Sequence, residues 1–210
     1  MITALTLKKP TRLLCAALAW LAAASARGDL LIERTLLPDA APSAFAVGFP
    51  NGVSFCYDVT RGGLSYIWRG GFIELASVRP AAGKSISPVK LLGNVVYREE
   101  GFFPLRTGDP QRGVAVSFKG YHLRDNAIEF RYEIDRRLVV EEVALLPDGA
   151  GLIRRFRIAG ARAGEAWWYV PGETSGGKLT APRTEGDAGG FRFDATQEFS
   201  LEVRFEKEAS

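Results

Sequence analysis

Hydrophobic and polar residues alternate with a period of two through much of this chain. In Ile128–Asp135 four apolar residues alternate with four charged residues, and Phe199–Phe205 repeats the pattern near the C-terminal end. Such alternation places every second side chain on the same face of an extended strand, so each segment predicts a strand with one buried face. After residue 26 no segment shows sustained helical periodicity. The pattern therefore predicts an all-β domain, a two-sheet antiparallel β-sandwich of roughly a dozen short strands.

The segment Val53–Leu75 carries the clearest turn signals and is expected to anchor the core. Apolar and polar residues alternate in it around two glycine pairs, Gly62-Gly63 and Gly70-Gly71. Glycine adopts positive φ angles without a Cβ clash, which suits it to the turns of antiparallel hairpins. We therefore predict two or three short strands folded on these turns.

Charged residues interrupt two segments that are otherwise predicted as neighbouring strands, Leu138–Leu145 and Leu152–Ile158. In the first segment Glu141-Glu142 breaks the alternation, which indicates a β-bulge. The second segment contains three arginines, and those that point outward are expected to face the outward glutamates of Glu129–Glu133. The three arginines are Arg154, Arg155 and Arg157. Exposed ion pairs contribute only about 0–1 kcal/mol each, so they indicate strand register and not a functional site.

The first 26 residues are predicted to be a cleaved, helical signal peptide. Three basic residues precede the apolar run Leu13–Ala24, and Ala24-Ser25-Ala26 fits the small-x-small pattern of a cleavage site. The apolar run is shorter than the roughly 20 residues that a membrane span needs. We therefore expect export to the periplasm or the extracellular space, and a single β-sandwich domain over residues 27–210.

Removal of the signal peptide changes the charge and the cysteine content. The whole chain has 27 basic and 24 acidic residues, and loss of the three basic residues of the signal leaves a neutral chain. A neutral chain gives no support for binding to nucleic acid or to a membrane surface. Cys56 is then the single cysteine, so no disulfide can form within the chain. Its place in a predicted strand favours a buried, unreactive thiol.

The chain carries few of the residues that enzymes use in recognisable motifs. It has one histidine, His122, and no G-x-S-x-G motif for a nucleophilic serine. No metal site and no cofactor are predicted. Aspartate and glutamate are plentiful, and a glycosidase or lyase needs two such carboxylates across the bond that it cleaves. A carbohydrate-active enzyme that uses paired carboxylates is therefore an open alternative.

Large aromatic residues give the more specific functional signal. Trp167 and Trp168 are adjacent in a predicted strand, so their side chains point to opposite faces and only one of them enters the core. An outward tryptophan on a sheet offers a surface on which a sugar ring or a partner protein stacks. The alternative is a tryptophan that is covered by a loop. The candidate binding residues are Tyr66, Trp68, Trp167, Trp168 and Tyr169.

Four short motifs give the chain a resemblance to a known group of proteins. After Asp58 they are Leu64–Phe72, Gly101–Leu105, Phe118–Leu123 and Glu129–Tyr132. Over about residues 45–160 the chain resembles a β-rich module of large exported bacterial proteins, in which the module accompanies c-type cytochrome and sugar-dehydrogenase-like domains. The resemblance implies no catalytic residue. This chain departs from those proteins because it has no C-x-x-C-H motif and cannot attach haem covalently.

These patterns favour an exported, non-catalytic module that binds a carbohydrate or an exported protein. The carboxylate enzyme is the first alternative. A structural accessory module of a cytochrome-containing assembly, which the resemblance implies, is the second.

Overall fold

The computed structural model describes residues 29–75, 87–181, 186–187, 190–194 and 198–206. The predicted signal peptide lies outside these ranges. Within them the chain forms antiparallel strands and no α-helix, which confirms the all-β prediction. This part of the chain accordingly contains no helix of the length and hydrophobicity that a membrane crossing requires.

The described residues form eighteen strands in four sheets. In chain order the strands are β1 (Leu31–Arg34), β2 (Phe45–Gly48), β3 (Val53–Asp58), β4 (Gly63–Arg69), β5 (Ile73–Glu74), β6 (Lys90–Leu91), β7 (Asn94–Glu99), β8 (Leu105–Thr107), β9 (Val116–Arg124), β10 (Ala127–Ile134), β11 (Arg137–Leu145), β12 (Gly151–Ile158), β13 (Ala166–Tyr169), β14 (Thr174–Ser175), β15 (Gly177–Thr180), β16 (Gly186–Asp187), β17 (Gly190–Asp194) and β18 (Phe199–Phe205).

Two of the sheets have six strands each. The first has the order β1-β2-β3-β4-β7-β14, and the second has the order β15-β18-β12-β11-β10-β9. A four-stranded sheet has the order β16-β17-β13-β8, and β5 pairs with β6 alone. The chain crosses from the first large sheet to the second between β14 and β15, where one glycine, Gly176, has φ 78°.

The two six-stranded sheets face each other across the main hydrophobic core. The ring of Tyr57 on β3 stacks on the ring of Phe130 on β10, with centroids 3.7 Å apart. Phe55 packs edge-on against the same ring. Trp167 and Phe193 of the four-stranded sheet belong to this core as well. Inward residues of three sheets therefore exclude water together, which is the main favourable contribution to folding.

The first sheet is buried on its outer face too. A second hydrophobic cluster covers that face and includes Tyr66 and Trp68 of β4. The Trp68 indole N–H donates to the carbonyls of Gly71 and Phe72 at 2.9 and 3.0 Å. The Tyr66 hydroxyl donates to the carbonyl of Pro38 at 2.8 Å. Both polar groups are satisfied inside the protein, as burial requires.

The strands predicted within Val53–Leu75 are confirmed, but the number of strands and sheets predicted for the whole domain is not. β3 and β4 form the expected hairpin, with Gly62 at φ 73° in its turn, and β5 is the third strand. Eighteen strands in four sheets replace the roughly dozen strands in two sheets that the turn signals predict. The difference arises because strands of two or three residues, such as β5, β6 and β14, are too short to show alternation.

The β-bulge predicted at Glu141-Glu142 is wrong. β11 pairs with both β10 and β12 without a shift of register. Glu141 points into the core in regular alternation with Val139 and Val143, and it is fully buried. The charge of Glu141, and not a change in the backbone, interrupts the apolar pattern.

Two of the three arginines of β12 point outward and form ion pairs on the outer face of the second sheet. Arg155 contacts Glu142 at 2.6 Å, and Arg157 contacts Glu129 at 2.9 Å. The third arginine, Arg154, points inward and is fully buried. It occupies the core side of β12, in alternation with the two arginines that point outward.

Gly151 at the start of β12 is expected to tolerate no side chain. A Cβ atom there would lie 2.0 Å from the Val203 carbonyl oxygen of the paired strand β18. Gly151→Ala should therefore lower the free energy of unfolding by about 1–3 kcal/mol, the usual cost of forced overpacking. Gly113→Ala is the control, since no atom lies within 4 Å of the position that its methyl group would take. Urea unfolding measures both, and equal stability of the two variants would contradict the close approach of β12 and β18.

Candidate functional site

A buried arginine lies at the centre of the most unusual group of polar side chains. Arg154 on β12 has no exposed surface. Its Nε donates to Glu141 Oε1 at 2.7 Å, and its Nη1 donates to Glu99 Oε1 at 3.0 Å. Nη1 also donates to the Tyr169 hydroxyl. Successive side chains of a strand point to opposite faces, so Arg154 faces the core together with Leu152 and Phe156 of the same strand.

Four tyrosine hydroxyls complete this network. Tyr57 and Tyr132 donate to Glu141 Oε2 at 3.1 and 3.0 Å. Tyr97 donates to Glu99 Oε1 at 3.0 Å, and Tyr169 donates to Glu99 Oε2. The seven side chains come from both six-stranded sheets and from the four-stranded sheet. We call this group the Arg154 network; its members are Arg154, Glu99, Glu141, Tyr57, Tyr97, Tyr132 and Tyr169.

The Arg154 network holds two carboxyl groups for one guanidinium. Burial raises the pKa of the Glu99 carboxyl above its ordinary value of 4.5, and the charge of Glu141 adds to the rise. Arg154 and the two tyrosines that donate to Glu99 oppose it. Burial also raises the pKa of all four tyrosines, which keeps their hydroxyls protonated as donors.

The Arg154 network does not form a site for a polymeric substrate. The side chains of Glu99 and Glu141 are 1% and 0% exposed, and the guanidinium of Arg154 bridges them. Glycoside cleavage needs two carboxylates on either side of a bound sugar, in contact with it. Another nearly buried carboxylate, Glu129, is surrounded by Arg124, Arg131 and Arg157. In both arrangements the buried carboxylates are paired with arginines, and neither arrangement offers two carboxylates that a substrate could contact.

The structure brings only one of the five predicted binding residues to the surface. Tyr66 and Trp68 lie in the second hydrophobic cluster, and Trp167 lies in the main core. Tyr169 belongs to the Arg154 network. These four are buried, so none of them presents its ring at the surface. Trp168 remains, because adjacent residues of a strand point to opposite faces and Trp167 takes the inner one.

Trp168 lies in a row with two arginines on the outer face of the four-stranded sheet. It pairs directly with Arg106 of β8 on one side and with Arg192 of β17 on the other. Residues that pair directly across antiparallel strands share a face, so the three side chains are neighbours. The Trp168 indole N–H donates to the Gly108 carbonyl at 3.0 Å, which fixes the ring on this face.

Phe102 precedes β8 and is linked to this row because its backbone carbonyl accepts a hydrogen bond from Arg106 at 3.3 Å. Its side chain is 61% exposed, the largest fraction among the exposed large apolar residues in the described ranges. The Arg61 guanidinium lies over its ring, 4.5 Å from the centroid. The next residue, Phe103, has φ 48°, a left-handed conformation that bulky residues rarely adopt. We call this surface the Trp168 face and define it by Arg61, Phe102, Arg106, Trp168 and Arg192.

The guanidinium groups of Arg61 and Arg106 are held by neutral oxygen atoms. Arg106 donates to the carbonyls of Phe103 at 3.2 Å, of Phe102 at 3.3 Å and of Pro110. Arg61 donates to the Glu100 carbonyl at 2.7 Å. Within the described ranges neither arginine forms an ion pair, so their positive charges are positioned but not neutralised.

Other reactive side chains lie outside both groups. Cys56 is buried, as the sequence predicts, and burial raises the pKa of its thiol, which disfavours the reactive thiolate. His122 is exposed on β9, the edge strand of the second sheet. Among the described residues no cluster of three or more histidine, cysteine or acidic side chains could hold a metal ion.

Comparison with known proteins adds no functional information. No known protein family, curated protein or solved structure matches this chain. The resemblance to a module of cytochrome-containing proteins therefore stays a prediction, as does the accessory role that it implies.

Sequence reasoning missed Arg154, Glu141 and Glu99 as partners, although a signal was present. Arg154 and Glu141 occupy inward positions in strands whose other inward residues are apolar. Two opposite charges that break the apolar faces of neighbouring strands indicate a buried pair. Glu99 gave no comparable signal, because its partners come from distant segments of the chain.

Arg154→Met is expected to destabilise the protein strongly, because it leaves two carboxyl groups buried without a cation. The expected loss is about 3–5 kcal/mol of unfolding free energy. Arg155→Met is the matched control, since the adjacent arginine lies on the outer face and its partly exposed pair with Glu142 is worth about 0–1 kcal/mol. Urea unfolding followed by fluorescence measures both. Similar losses in the two variants would show that the buried network adds no stability.

Glu99 is expected to make stability depend on pH. Its pKa in the folded protein lies above the ordinary 4.5, so the folded state binds this proton more tightly than the unfolded chain does. The stability that Glu99 contributes is therefore fully present below about pH 4.5 and is lost as the pH rises through the raised folded-state value. In Glu99→Gln the free energy of unfolding should therefore decrease less steeply as the pH increases through this range.

Urea unfolding at a series of pH values measures this slope. Glu142→Gln, a change to a partly exposed carboxylate on the outer face, is the control and should keep the wild-type slope. A Glu99→Gln protein with the wild-type slope would show that another group is responsible.

Proposed function

We propose that this protein is an exported β-sandwich module that binds a carbohydrate through the Trp168 face. The observation that carries the proposal is the direct pairing of Trp168 with Arg106 on the outer surface of a sheet whose inner surface is in the core. A binding surface on paired strands is held more rigidly than one on a loop.

The chemistry of the Trp168 face suits a sugar ring. The faces of a pyranose carry C–H groups that pack on an aromatic ring, and its edge carries hydroxyls that accept or donate hydrogen bonds. Trp168 and Phe102 supply the aromatic surfaces, and the guanidinium groups of Arg61 and Arg106 supply N–H donors beside them. Aromatic surfaces with a few fixed polar groups are typical of small-ligand sites.

The limited apolar area argues against a large protein partner as the main ligand. Stable protein interfaces bury about 800 Å² on each partner and have an apolar centre. Among the five residues that define the Trp168 face, Phe102 is the one strongly exposed large apolar residue. A chain of sugar rings needs only a narrow strip of this kind.

An enzymatic role receives less support. The convergent carboxylate pair that the enzyme alternative requires occurs at Glu99 and Glu141, where both groups are buried and bridged by Arg154. The Trp168 face has arginines next to its aromatic rings in place of a carboxylate pair.

Removal of the half-buried Trp168 ring or of the exposed Phe102 ring should weaken carbohydrate binding. Trp168→Ala is expected to raise the dissociation constant by a factor that corresponds to about 2 kcal/mol or more, as for a central aromatic contact, and Phe102→Ala should have a smaller effect. Titration calorimetry against a panel of neutral and acidic soluble polysaccharides measures the change. Tyr121→Ala removes an exposed ring on the distant edge strand β9 and should bind like the wild type.

Two results would contradict the proposal. Binding that survives in both Trp168→Ala and Phe102→Ala would place the site elsewhere, and no binding to any polysaccharide by the wild type would exclude this ligand class. Near-ultraviolet circular dichroism and urea unfolding of each variant confirm that a loss of binding is not a loss of fold.

A further inference from the structure

We infer that the carbohydrate bound at the Trp168 face is an acidic polysaccharide, one whose sugar rings carry carboxylates. The inference rests on the proposed function and adds the chemical class of the ligand. It is carried by Arg61 and Arg106 and by the neutral groups that hold them.

Arg106 presents a fixed positive charge next to the stacking ring. A guanidinium has five N–H donors, and three of those of Arg106 are directed to backbone carbonyls, from Nε, Nη1 and Nη2. One N–H remains on each terminal nitrogen. Since carbonyl oxygens carry only partial charge, the full positive charge of Arg106 is oriented by these contacts and not cancelled by them.

The fixed orientation matters for affinity. An unrestrained arginine loses side-chain entropy when it binds a ligand, whereas Arg106 has already lost that freedom in the folded protein. A carboxylate that meets the two terminal nitrogens of a guanidinium forms paired charge-assisted hydrogen bonds, which are stronger than bonds between neutral groups.

Arg61 supplies a second charge on the same face. Its guanidinium lies over one side of the Phe102 ring and donates to a neutral carbonyl. Its Nε–H is buried without a hydrogen-bond partner among the described residues.

Two acidic residues close to Arg61 and Arg106 in the sequence or the fold, Glu100 and Asp109, do not neutralise these two arginines. Glu100 and Asp109 are exposed, and one Asp109 carboxylate oxygen accepts the Gln111 backbone N–H at 2.8 Å. In the described ranges neither carboxylate forms an ion pair with Arg61 or Arg106. Asp194 lies on the same outer face of the four-stranded sheet, beyond Trp168 and next to Ala166 in register.

The geometry fits a uronate-type ring better than a neutral one. Arg106, Trp168 and Arg192 occupy three adjacent strands, so the row spans two strand spacings, about 10 Å. A ring that stacks on Trp168 places the group on its edge over a neighbouring strand, where Arg106 lies. A carboxylate at that edge gains a charge-assisted bond, while a hydroxymethyl group gains only a neutral one.

Binding should therefore require the ligand charge and should weaken with salt. The probes are polygalacturonate, its fully methyl-esterified form with the same backbone, and the neutral glucan dextran. We expect the purified protein to bind polygalacturonate at least about tenfold more tightly than the esterified polymer, the usual gain from a charge-assisted bond. Raising the ionic strength from about 0.02 to 0.5 M should weaken only the acidic complex, because salt screens exposed charges.

Matched variants assign the effect to the face. Arg106→Gln and Arg61→Gln should each weaken binding of polygalacturonate about tenfold and should weaken binding of the esterified polymer clearly less, because only the acidic polymer loses a charge-assisted bond. Arg155→Gln removes one positive charge from the outer face of the second sheet and should bind like the wild type. If loss of the three Arg106 hydrogen bonds in Arg106→Gln disturbs the loop that they hold, Arg61→Gln still tests the inference.

The outcomes distinguish a failure of the inferred acidic ligand from a failure of the proposed carbohydrate-binding function. Equal, salt-independent binding of all three polymers that Trp168→Ala abolishes would overturn the acidic ligand and would leave the carbohydrate site in place. Polygalacturonate binding that Arg155→Gln reduces as much as Arg106→Gln would show a diffuse charge effect and would also overturn the inference. No binding of any polymer would overturn the proposed function itself.

Discussion

The burial of one arginine constrains most of this fold. A guanidinium inside a protein loses its hydration, which costs several kcal/mol, and the loss is offset only when its partners are all in place. For Arg154 those partners come from β7, β11 and β13, strands that are far apart in the sequence. The three sheets must therefore pack in one register, and a slip of one residue in β12 would turn Arg154 to the surface and Arg155 into the core.

The same constraint determines which side chains reach the surface on β13. Tyr169 must point inward to donate to Glu99 and to accept from Arg154. Because successive residues of a strand alternate, Trp168 must then point outward. On β8 the burial of Leu105 places Arg106 outward in the same way, directly beside Trp168. The buried network thus positions the candidate binding face without contacting any ligand.

The sequence was sufficient for the longer strands and for the opposite orientations of Trp167 and Trp168, because both follow from a period of two. It could not show that Tyr66 and Trp68 are covered, since their burial depends on a second cluster of residues from distant segments. Arg106 and Phe102 carried no pattern of their own as candidate site residues. They became candidates only once β8 was seen to pair with β13, a contact between residues about sixty positions apart.

The conformation of Phe103 is more easily explained by binding than by stability. A left-handed backbone at a bulky residue costs about 1–3 kcal/mol and persists only where the surroundings enforce it. Here the Phe103 ring fills the space that a Cβ on Gly62 would need, 2.6 Å from that position, and the Phe103 N–H donates to the Arg61 carbonyl. The result of this strained turn is that Phe102 lies outside the protein with Arg61 against one side of its ring. Exposing a phenylalanine gains no hydrophobic stabilisation, so the strain is consistent with a ring that is held ready for a ligand.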